Sequence, residues 1–135
     1  MRGSFAVMTA GRFDHRTLVL LSEADEVEMR TSRGDGSMSS RPIWVVVVDH
    51  VPYVRSYLAE RGGWYRRAKA EGRAELAVEG ETLAVRVVPD GGAGLDERIS
   101  AAYHAKYGRH APGPTEAMVT PAVVATTMRL EPTDG

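Results

Sequence analysis

The chain has 135 residues, no cysteine and a formal net charge of -1, with 43% hydrophobic and 26% charged residues. A chain of this length suits one domain around a single core. The lack of cysteine excludes disulfides, thiolate metal sites and a cysteine nucleophile, and the balanced charge argues against a surface built for nucleic acid or an anionic membrane.

We expect neither a membrane span nor an N-terminal secretory signal. No apolar run approaches the roughly 20 residues that span a bilayer, and the first residues are too polar for a secretory signal, so we expect a cytoplasmic protein. Residues 1–12 read as a flexible leader, whose first four residues are either native or an expression remnant. We expect one domain over residues 13–132 and a tail over 133–135.

The N-terminal third shows one helix signal and two strand signals. Asp14 is a plausible N-cap for a short helix, and residues 26–32 follow as a strand. Residues 33–37 hold two glycines, an aspartate and a serine, which is typical of a turn. The strongest strand signal covers residues 43–48, where apolar, mainly β-branched side chains occupy both faces.

The middle of the chain predicts two hairpins separated by a helix. Residues 49–52 read as a tight turn, and residues 53–57 form the return strand. Residues 64–71 are predicted to form a short helix that Gly72 ends. Residues 73–89 then form a second hairpin, whose turn lies at residues 79–81.

The C-terminal third predicts a third helix and a last strand. Residues 91–94 read as a flexible link, and residues 96–107 show the apolar stripe of an amphipathic helix. Residues 110–121 hold three prolines and read as a loop, and residues 122–130 as a strand. The pattern therefore predicts a mainly β fold, a six-stranded antiparallel barrel with three short flanking helices.

The predicted strand at residues 53–57 carries a first candidate site. Because strand side chains alternate, Tyr53, Arg55 and Tyr57 share one face, and Val54 and Ser56 share the other. Two aromatic rings and a guanidinium in a row can flank a planar ring and bind an anion. The alternative is an ordinary solvent-facing stripe.

A second candidate lies where the next helix begins. Gly62 and Gly63 expose backbone N–H groups at a positive helix end, beside the cation of Arg61, as in a small phosphate cradle. The alternative is a solvated helix face with pairs such as Arg67 to Glu71. Residues 53–73 hold six basic side chains against two acidic ones, the largest local charge surplus of the chain.

Other chemistry is poorly supported. The four histidines lack metal-ligand spacing, and no serine lies in a nucleophile motif. No glycine-rich nucleotide motif occurs either. If the protein is an enzyme, a cofactor carries the reaction, and nucleic-acid binding through the basic run is a minor alternative.

Five segments together resemble a known family, and they extend from about residue 13 to 132. Read in one-letter code, they are RPIWVVVV from residue 41, YVRSY from 53, RGGWYR from 61, AYHAKYG from 102 and TTMRL from 126. They resemble domain-of-unknown-function family 2255. That family is in turn similar to the FMN-binding split barrel of pyridoxamine 5'-phosphate oxidase and the deazaflavin-dependent reductases.

The resemblance implies a cofactor site and a homodimer. In the oxidase, two cations hold the FMN phosphate, and Arg41 and Arg61 fall at their places. The backbone and polar groups that meet the flavin ring correspond to Val54, Arg55 and Ser56. Two departures weaken the phosphate site: Val46 replaces a lysine, and Ala59-Glu60 replaces a serine-arginine pair.

Taken together, the residues and the resemblance predict a reductase that binds FMN or a deazaflavin and passes hydride to a small unsaturated or quinone-like substrate. The predicted cofactor-binding residues are Arg41, Tyr53, Val54, Arg55, Ser56, Tyr57, Arg61, Gly62, Gly63 and Trp64. Trp64 also fits a core role. The alternative function is a non-catalytic split-barrel module that binds a small anionic ligand or a protein partner.

Overall fold

The structure, a computed structural model, describes residues 12–133. The helices are α1 (His15–Glu23), α2 (Gly63–Glu71), α3 (Ala93–Tyr107), α4 (Pro112–Met118) and α5 (Pro121–Val124), with a 3₁₀ turn at Ala59–Arg61. The strands are β1 (Val27–Ser32), β2 (Met38–Ile43), β3 (Val46–Val48), β4 (Val51–Val54), β5 (Arg73–Val78), β6 (Glu81–Pro89) and β7 (Met128–Pro132).

The seven strands form one antiparallel sheet that curls into a split barrel. The strand order is β2-β1-β5-β6-β7-β4-β3, so β2 and β3 are the two edges. These edges are joined by only two residues, Trp44 and Val45, and therefore the sheet must curl until its ends meet. The predicted mainly β, antiparallel split barrel with flanking helices is confirmed, with seven strands and five α-helices among residues 12–133 instead of six and three.

Two buried clusters lie on opposite sides of the strands. The first fills the barrel, where Leu21, Met29, Leu76 and Met128 are fully buried and Trp64 of α2 closes one end. The second contains Val46, Tyr53, Ile99, Tyr103, Tyr107, Met118 and Val123, and it packs the C-terminal helices onto β3 and β4. A groove on the surface lies where these two clusters adjoin.

The predicted single strand over residues 43–48 is wrong, because these residues belong to two different strands. Strand β2 ends at Ile43, which pairs with Val27 of β1, whereas β3 begins at Val46, which pairs with Tyr53 of β4. The chain changes partner at Trp44 and Val45, because this is where the barrel splits. The stretch that precedes Ile43, from Met38, also pairs with β1, which the sequence did not predict.

The β3–β4 hairpin is tighter than predicted. Only Asp49 and His50 form the turn, with φ angles of 51° and 69°, the pattern of a two-residue turn that matches strand twist. Pro52 therefore belongs to the strand, and it pairs with Val47. The return strand ends at Val54, three residues before the predicted end, because the chain then turns toward the helices.

The proline-rich segment is helical, which corrects the predicted loop over residues 110–121 and the predicted strand over 122–130. Pro112 and Pro121 begin α4 and α5, where a missing backbone N–H costs nothing because the first helical turn has no partner for it. The last strand instead begins at Met128, between β6 and β4.

The remaining local predictions agree with the structure, except for the start of α3. Asp14 caps α1, Gly72 ends α2 in the left-handed region with φ 74°, and β5 and β6 form the second hairpin. Helix α3 begins at Ala93, inside the predicted flexible link. The proposed leader and tail lie outside the described residues except for Arg12 and Thr133. Among residues 12–133, no helix has the length and apolar character that crossing a membrane requires.

Candidate functional site

Two adjoining cavities form one groove beside α2. The larger, the cationic cavity, has a volume of about 440 Å³. Its lining residues are Arg33, Ser39, Arg41, Pro42, Ser56, Tyr57, Leu58, Gly62, Gly63, Trp64 and Arg67. The aromatic cavity, of about 270 Å³, is lined by Glu26, Pro42, Ile43, Trp44, Arg55, Tyr57, Trp64, Pro114 and Met118. Because Pro42, Tyr57 and Trp64 line both, the two cavities are continuous.

The cationic cavity brings three guanidinium groups together from three elements. Arg41 comes from β2, Arg33 from the turn after β1, and Arg67 from α2. Arg67 Nε donates to Thr31 Oγ1 at 2.9 Å, and Arg33 Nη1 donates to the Met38 carbonyl at 2.7 Å. None of the three pairs with a carboxylate among residues 12–133, and no acidic residue lines this cavity.

The N-terminus of α2 faces the same cavity. Its first N–H groups, from Gly63 onward, have no acceptor within the helix and carry the positive end of the helix dipole. A Cβ at Gly62 would overlap Ser56 Oγ, so a larger residue would force Ser56 to shift where the chain enters the helix. A Cβ at Gly63 would lie 3.2 Å from Arg67 Nη1, which places that guanidinium directly over the helix end.

The aromatic cavity has one rigid wall. Trp44 stacks on Tyr107 with ring centroids 3.9 Å apart and an interplanar angle of 2°. Tyr107 is itself held because its hydroxyl donates to the Asp25 carbonyl at 3.0 Å. Trp64, 8% exposed, lines the cavity from α2 and contacts Tyr65 edge-on. Such a cavity suits a flat ring, since the stacked plate is already ordered before a ligand binds.

Arg55 lines the aromatic cavity and is 1% exposed. Its guanidinium donates to Thr127 Oγ1 at 2.9 Å, Ser100 Oγ at 2.9 Å, the Met118 carbonyl at 3.0 Å and the Asp96 carbonyl at 3.2 Å. It also lies 5.4 Å from the Tyr103 ring centroid. Burial lowers the pKa of Arg55, and the nearby Tyr103 and Asp96 side chains act in the opposite direction. All four of its hydrogen bonds go to neutral acceptors.

The structure brings seven of the ten predicted site residues to the groove and leaves three outside it. Around the cationic cavity lie Arg41, Ser56, Gly62 and Gly63, while Arg55 lines the aromatic one and Tyr57 and Trp64 line both. Tyr53 and Val54 line neither cavity, because each is buried in one of the two hydrophobic clusters. Arg61 is exposed on the 3₁₀ turn and also lines neither.

The shared face predicted for strand 53–57 is only partly present. Tyr53 and Arg55 both lie toward Tyr103, but Tyr57 lies beyond the strand and is 58% exposed. Its ring contributes to the mouth of the groove instead of to a continuous stripe.

Ten residues that line the groove were not predicted as site residues: Glu26, Arg33, Ser39, Pro42, Ile43, Trp44, Leu58, Arg67, Pro114 and Met118. Arg67 could have been found from helix periodicity, because it lies four residues after Gly63 and thus above the helix end. Arg33 and Trp44 required knowledge of the strand pairing. Among residues 12–133, no group of three or more potential metal-ligating side chains occurs.

A family profile described as an uncharacterized protein conserved in bacteria, DUF2255, matches residues 17–130. The chain belongs to the DUF2255 family. This match covers most of the chain and confirms the family resemblance. No curated protein matches the chain.

Several solved structures share the fold of this DUF2255 protein. A NimC/NimA family protein from Clostridium acetobutylicum has a TM-score of 0.60 at 17% identity, over 87% of this chain and 80% of that one. HutZ, the heme storage protein of Vibrio cholerae, has a TM-score of 0.60 at 15% identity, over 92% of each chain. A candidate pyridoxamine 5'-phosphate oxidase from Listeria innocua has a TM-score of 0.57 at 9% identity, over 87% and 90%. These identities establish the split-barrel fold alone.

Proposed function

We propose that the groove binds a flavin or deazaflavin cofactor and that the protein is an oxidoreductase for a small unsaturated or quinone-like substrate. One observation carries this proposal: three arginines that pair with no carboxylate among residues 12–133 line a cavity that opens into an aromatic cavity. A ligand that satisfies both must combine an anionic tail with a flat ring.

Different residues of the groove would contact different parts of the cofactor. Arg41 and Arg67, with the first N–H groups of α2, would hold a phosphate through charge-assisted hydrogen bonds. Trp44 and Trp64 would enclose the ring and exclude water from it, and Arg55 would face the ring's polar edge. The bound cofactor would supply the hydride chemistry, because Glu26 is the one carboxylate among the described residues that line the groove.

The fold supports this proposal without identifying the ligand. The Listeria innocua protein with this fold is a candidate oxidase of a phosphorylated pyridine compound, and HutZ is a heme storage protein. Split barrels thus occur in proteins whose ligands are planar, which is the ligand shape that the aromatic cavity fits.

We also propose that a second copy of the chain covers the mouth of the groove. Tyr57 and Leu58 at this mouth are 58% and 52% exposed, although large apolar side chains are usually buried. A homodimer would cover these side chains and would exclude water from the proposed cofactor ring.

The decisive experiment is a titration of the purified protein with FMN, riboflavin and a phosphorylated deazaflavin, followed by absorbance and thermal shift. We expect FMN or the deazaflavin to bind and to raise the melting temperature. Arg41→Gln and Arg67→Gln should each weaken FMN binding by roughly tenfold or more, because a charge-assisted hydrogen bond contributes about 1.5–3 kcal/mol. Riboflavin, which lacks the phosphate, should be insensitive to both changes.

The matched control is Arg66→Gln, which removes the same charge from α2 at an exposed position outside the groove. An equal loss in this control would show that only general charge matters. Absence of binding by all three compounds, or a heme spectrum in the purified protein, would overturn the cofactor assignment.

The alternative is a non-catalytic module that binds a small anion. One observation favours it: Val46, at the place where the oxidase has a lysine, is 1% exposed and belongs to the core. Under this alternative, inorganic phosphate or pyrophosphate would stabilise the protein through Arg41 and Arg67, and no ring compound would add to the effect.

A further inference from the structure

A second chemically distinctive group lies away from the groove. The chain has 17 lysines and arginines, of which only Lys69 and Lys106 are lysines. Lys106, on α3, is held between two other segments: its Nζ donates to the Leu21 carbonyl at 3.0 Å and to the Val45 carbonyl at 2.7 Å. Within residues 12–133 it forms no ion pair.

The Lys106 side chain lines a separate surface cavity of about 360 Å³, which shares no lining residue with the groove beside α2. The other lining residues are Ser22, Val46, Val47, Ala102 and Ala105, so the walls are small and mainly apolar. Because Lys106 is half-buried and lines this cavity, a small molecule can reach it from solvent while its charge remains poorly hydrated.

Desolvation of the charged form lowers the pKa of Lys106 to about 8. The Asp25 carboxylate acts in the opposite direction and is too weak to cancel this effect. The other titratable group beside the amine is Tyr107, whose pKa burial raises, so its phenol stays neutral. About a tenth of Lys106 is therefore uncharged at pH 7, far more than for a lysine with an ordinary pKa.

The hydrogen bonds also orient the uncharged amine. An ammonium has three N–H donors, of which two are used by the Leu21 and Val45 carbonyls. After loss of the third proton, both bonds can remain, and the lone pair occupies the third position. The amine is thus held as an oriented nucleophile.

We propose that Lys106 is a modification site that forms a reversible imine with small aliphatic aldehydes. The nitrogen lone pair attacks the aldehyde carbon, and the adduct loses water to give a carbon–nitrogen double bond, so that one aldehyde and one amine yield one imine and one water. Aldehydes fit this site better than acyl donors, because imine formation needs no stabilised leaving group and the apolar walls suit a short alkyl chain.

Imine formation would also loosen the structure around Lys106. A neutral imine nitrogen has no N–H group, so both bonds to the Leu21 and Val45 carbonyls are lost. Val45 belongs to the two-residue link between β2 and β3, and its neighbour Trp44 forms the plate of the aromatic cavity. Modification is therefore expected to lower the melting temperature.

The test is competitive labelling of the full chain with limiting propanal and a mild borohydride reductant, followed by peptide mass spectrometry. The exposed Lys69 on α2 is an internal control in the same molecule. At pH 7 we expect labelling at Lys106 to exceed that at Lys69 by about tenfold, because a lowered pKa increases the free amine more than it reduces its nucleophilicity. The rate at Lys106 should rise with a midpoint near pH 8.

Two variants separate this proposal from a purely structural role. Asp25→Asn should shift the midpoint to lower pH, because it removes the charge that raises the pKa of Lys106. Lys106→Arg should keep the donors and the fold, lose this label, and make the melting temperature insensitive to propanal. Labelling at Lys106 that is slower than at Lys69 throughout pH 6–9, or a midpoint above pH 10, would overturn the proposal.

Discussion

At the scale of single residues, Asp14 shows how one side chain sets a helix end. Its Oδ1 accepts a hydrogen bond from the Thr17 N–H at 2.8 Å, and this bond lowers the pKa of Asp14. The carboxylate satisfies one of the four N–H groups that α1 leaves without partners. The cap depends on nothing beyond the first turn, and for that reason it was predictable.

We expect Asp14→Ala to cost about 1 kcal/mol of unfolding free energy at pH 7, and Asp14→Ser to cost much less. Because the folded pKa lies below the unfolded one, the contribution is present above the usual carboxyl range and is lost as the pH falls through the folded pKa. Urea denaturation at pH 7 and at strongly acidic pH measures the difference. An Asp14→Ala effect that persists unchanged in acid would contradict this account.

Arg55 is held by four hydrogen bonds to residues that are distant from it in the sequence. Arg55→Met keeps much of the side-chain volume but leaves the Met118 and Asp96 carbonyls without their donor. We expect a loss of roughly 1–3 kcal/mol, the cost of leaving buried polar groups unsatisfied. Chemical denaturation, with Arg86→Met as an exposed control, measures it. Equal stability of the two variants would mean that the cost of burying the guanidinium cancels its four bonds.

At the scale of elements, the start of α2 depends on close contact between two segments. Gly62→Ala would place a Cβ against Ser56 Oγ, whereas Gly63→Ala meets only the flexible end of Arg67. We expect Gly62→Ala to destabilise the protein by roughly 1–3 kcal/mol and Gly63→Ala to have a much smaller effect.

A double-mutant cycle can show whether the contact with Ser56 causes the loss of stability in Gly62→Ala. Ser56→Ala removes the Oγ that the new methyl group would meet, so Ser56→Ala with Gly62→Ala should be less destabilised than the sum of the single variants. Additive losses would show that the strain at Gly62 arises elsewhere. Denaturation midpoints of the four proteins provide the measurement.

At the scale of the whole molecule, a single chain leaves the side chains of Tyr57 and Leu58 at the mouth of the groove exposed to solvent. We expect sedimentation velocity to show a dimer, and Leu58→Glu to shift it toward the monomer by introducing a charge into the covered surface. Val19→Glu, at an apolar position of α1 that is 38% exposed, is the control and should not change the assembly. A monomeric parent chain would refute the homodimer proposal.

The site was only partly predictable because its residues come from distant parts of the chain. Gly62, Gly63 and Trp64 were found because they are neighbours at one helix start. Arg67 was overlooked although helix periodicity places it above this helix end. Arg33 could not be found, since it adjoins Arg67 only after β1 and α2 pack together. Arg61 illustrates the opposite outcome: its position in the sequence is suggestive, yet the 3₁₀ turn carries it to the exterior.

By itself, the sequence determined the features that depend on short-range geometry: the hairpins, the cap at Asp14, the end of α2 at Gly72 and the antiparallel β class. These follow from hydrogen bonds and backbone angles within a few residues. Tertiary structure alone decided where the barrel splits at Trp44 and Val45, that the proline-rich segment is helical, and which guanidinium groups face the groove. The physical reason is that burial and pairing with remote segments set the free energy of these features, and no local pattern records such partners.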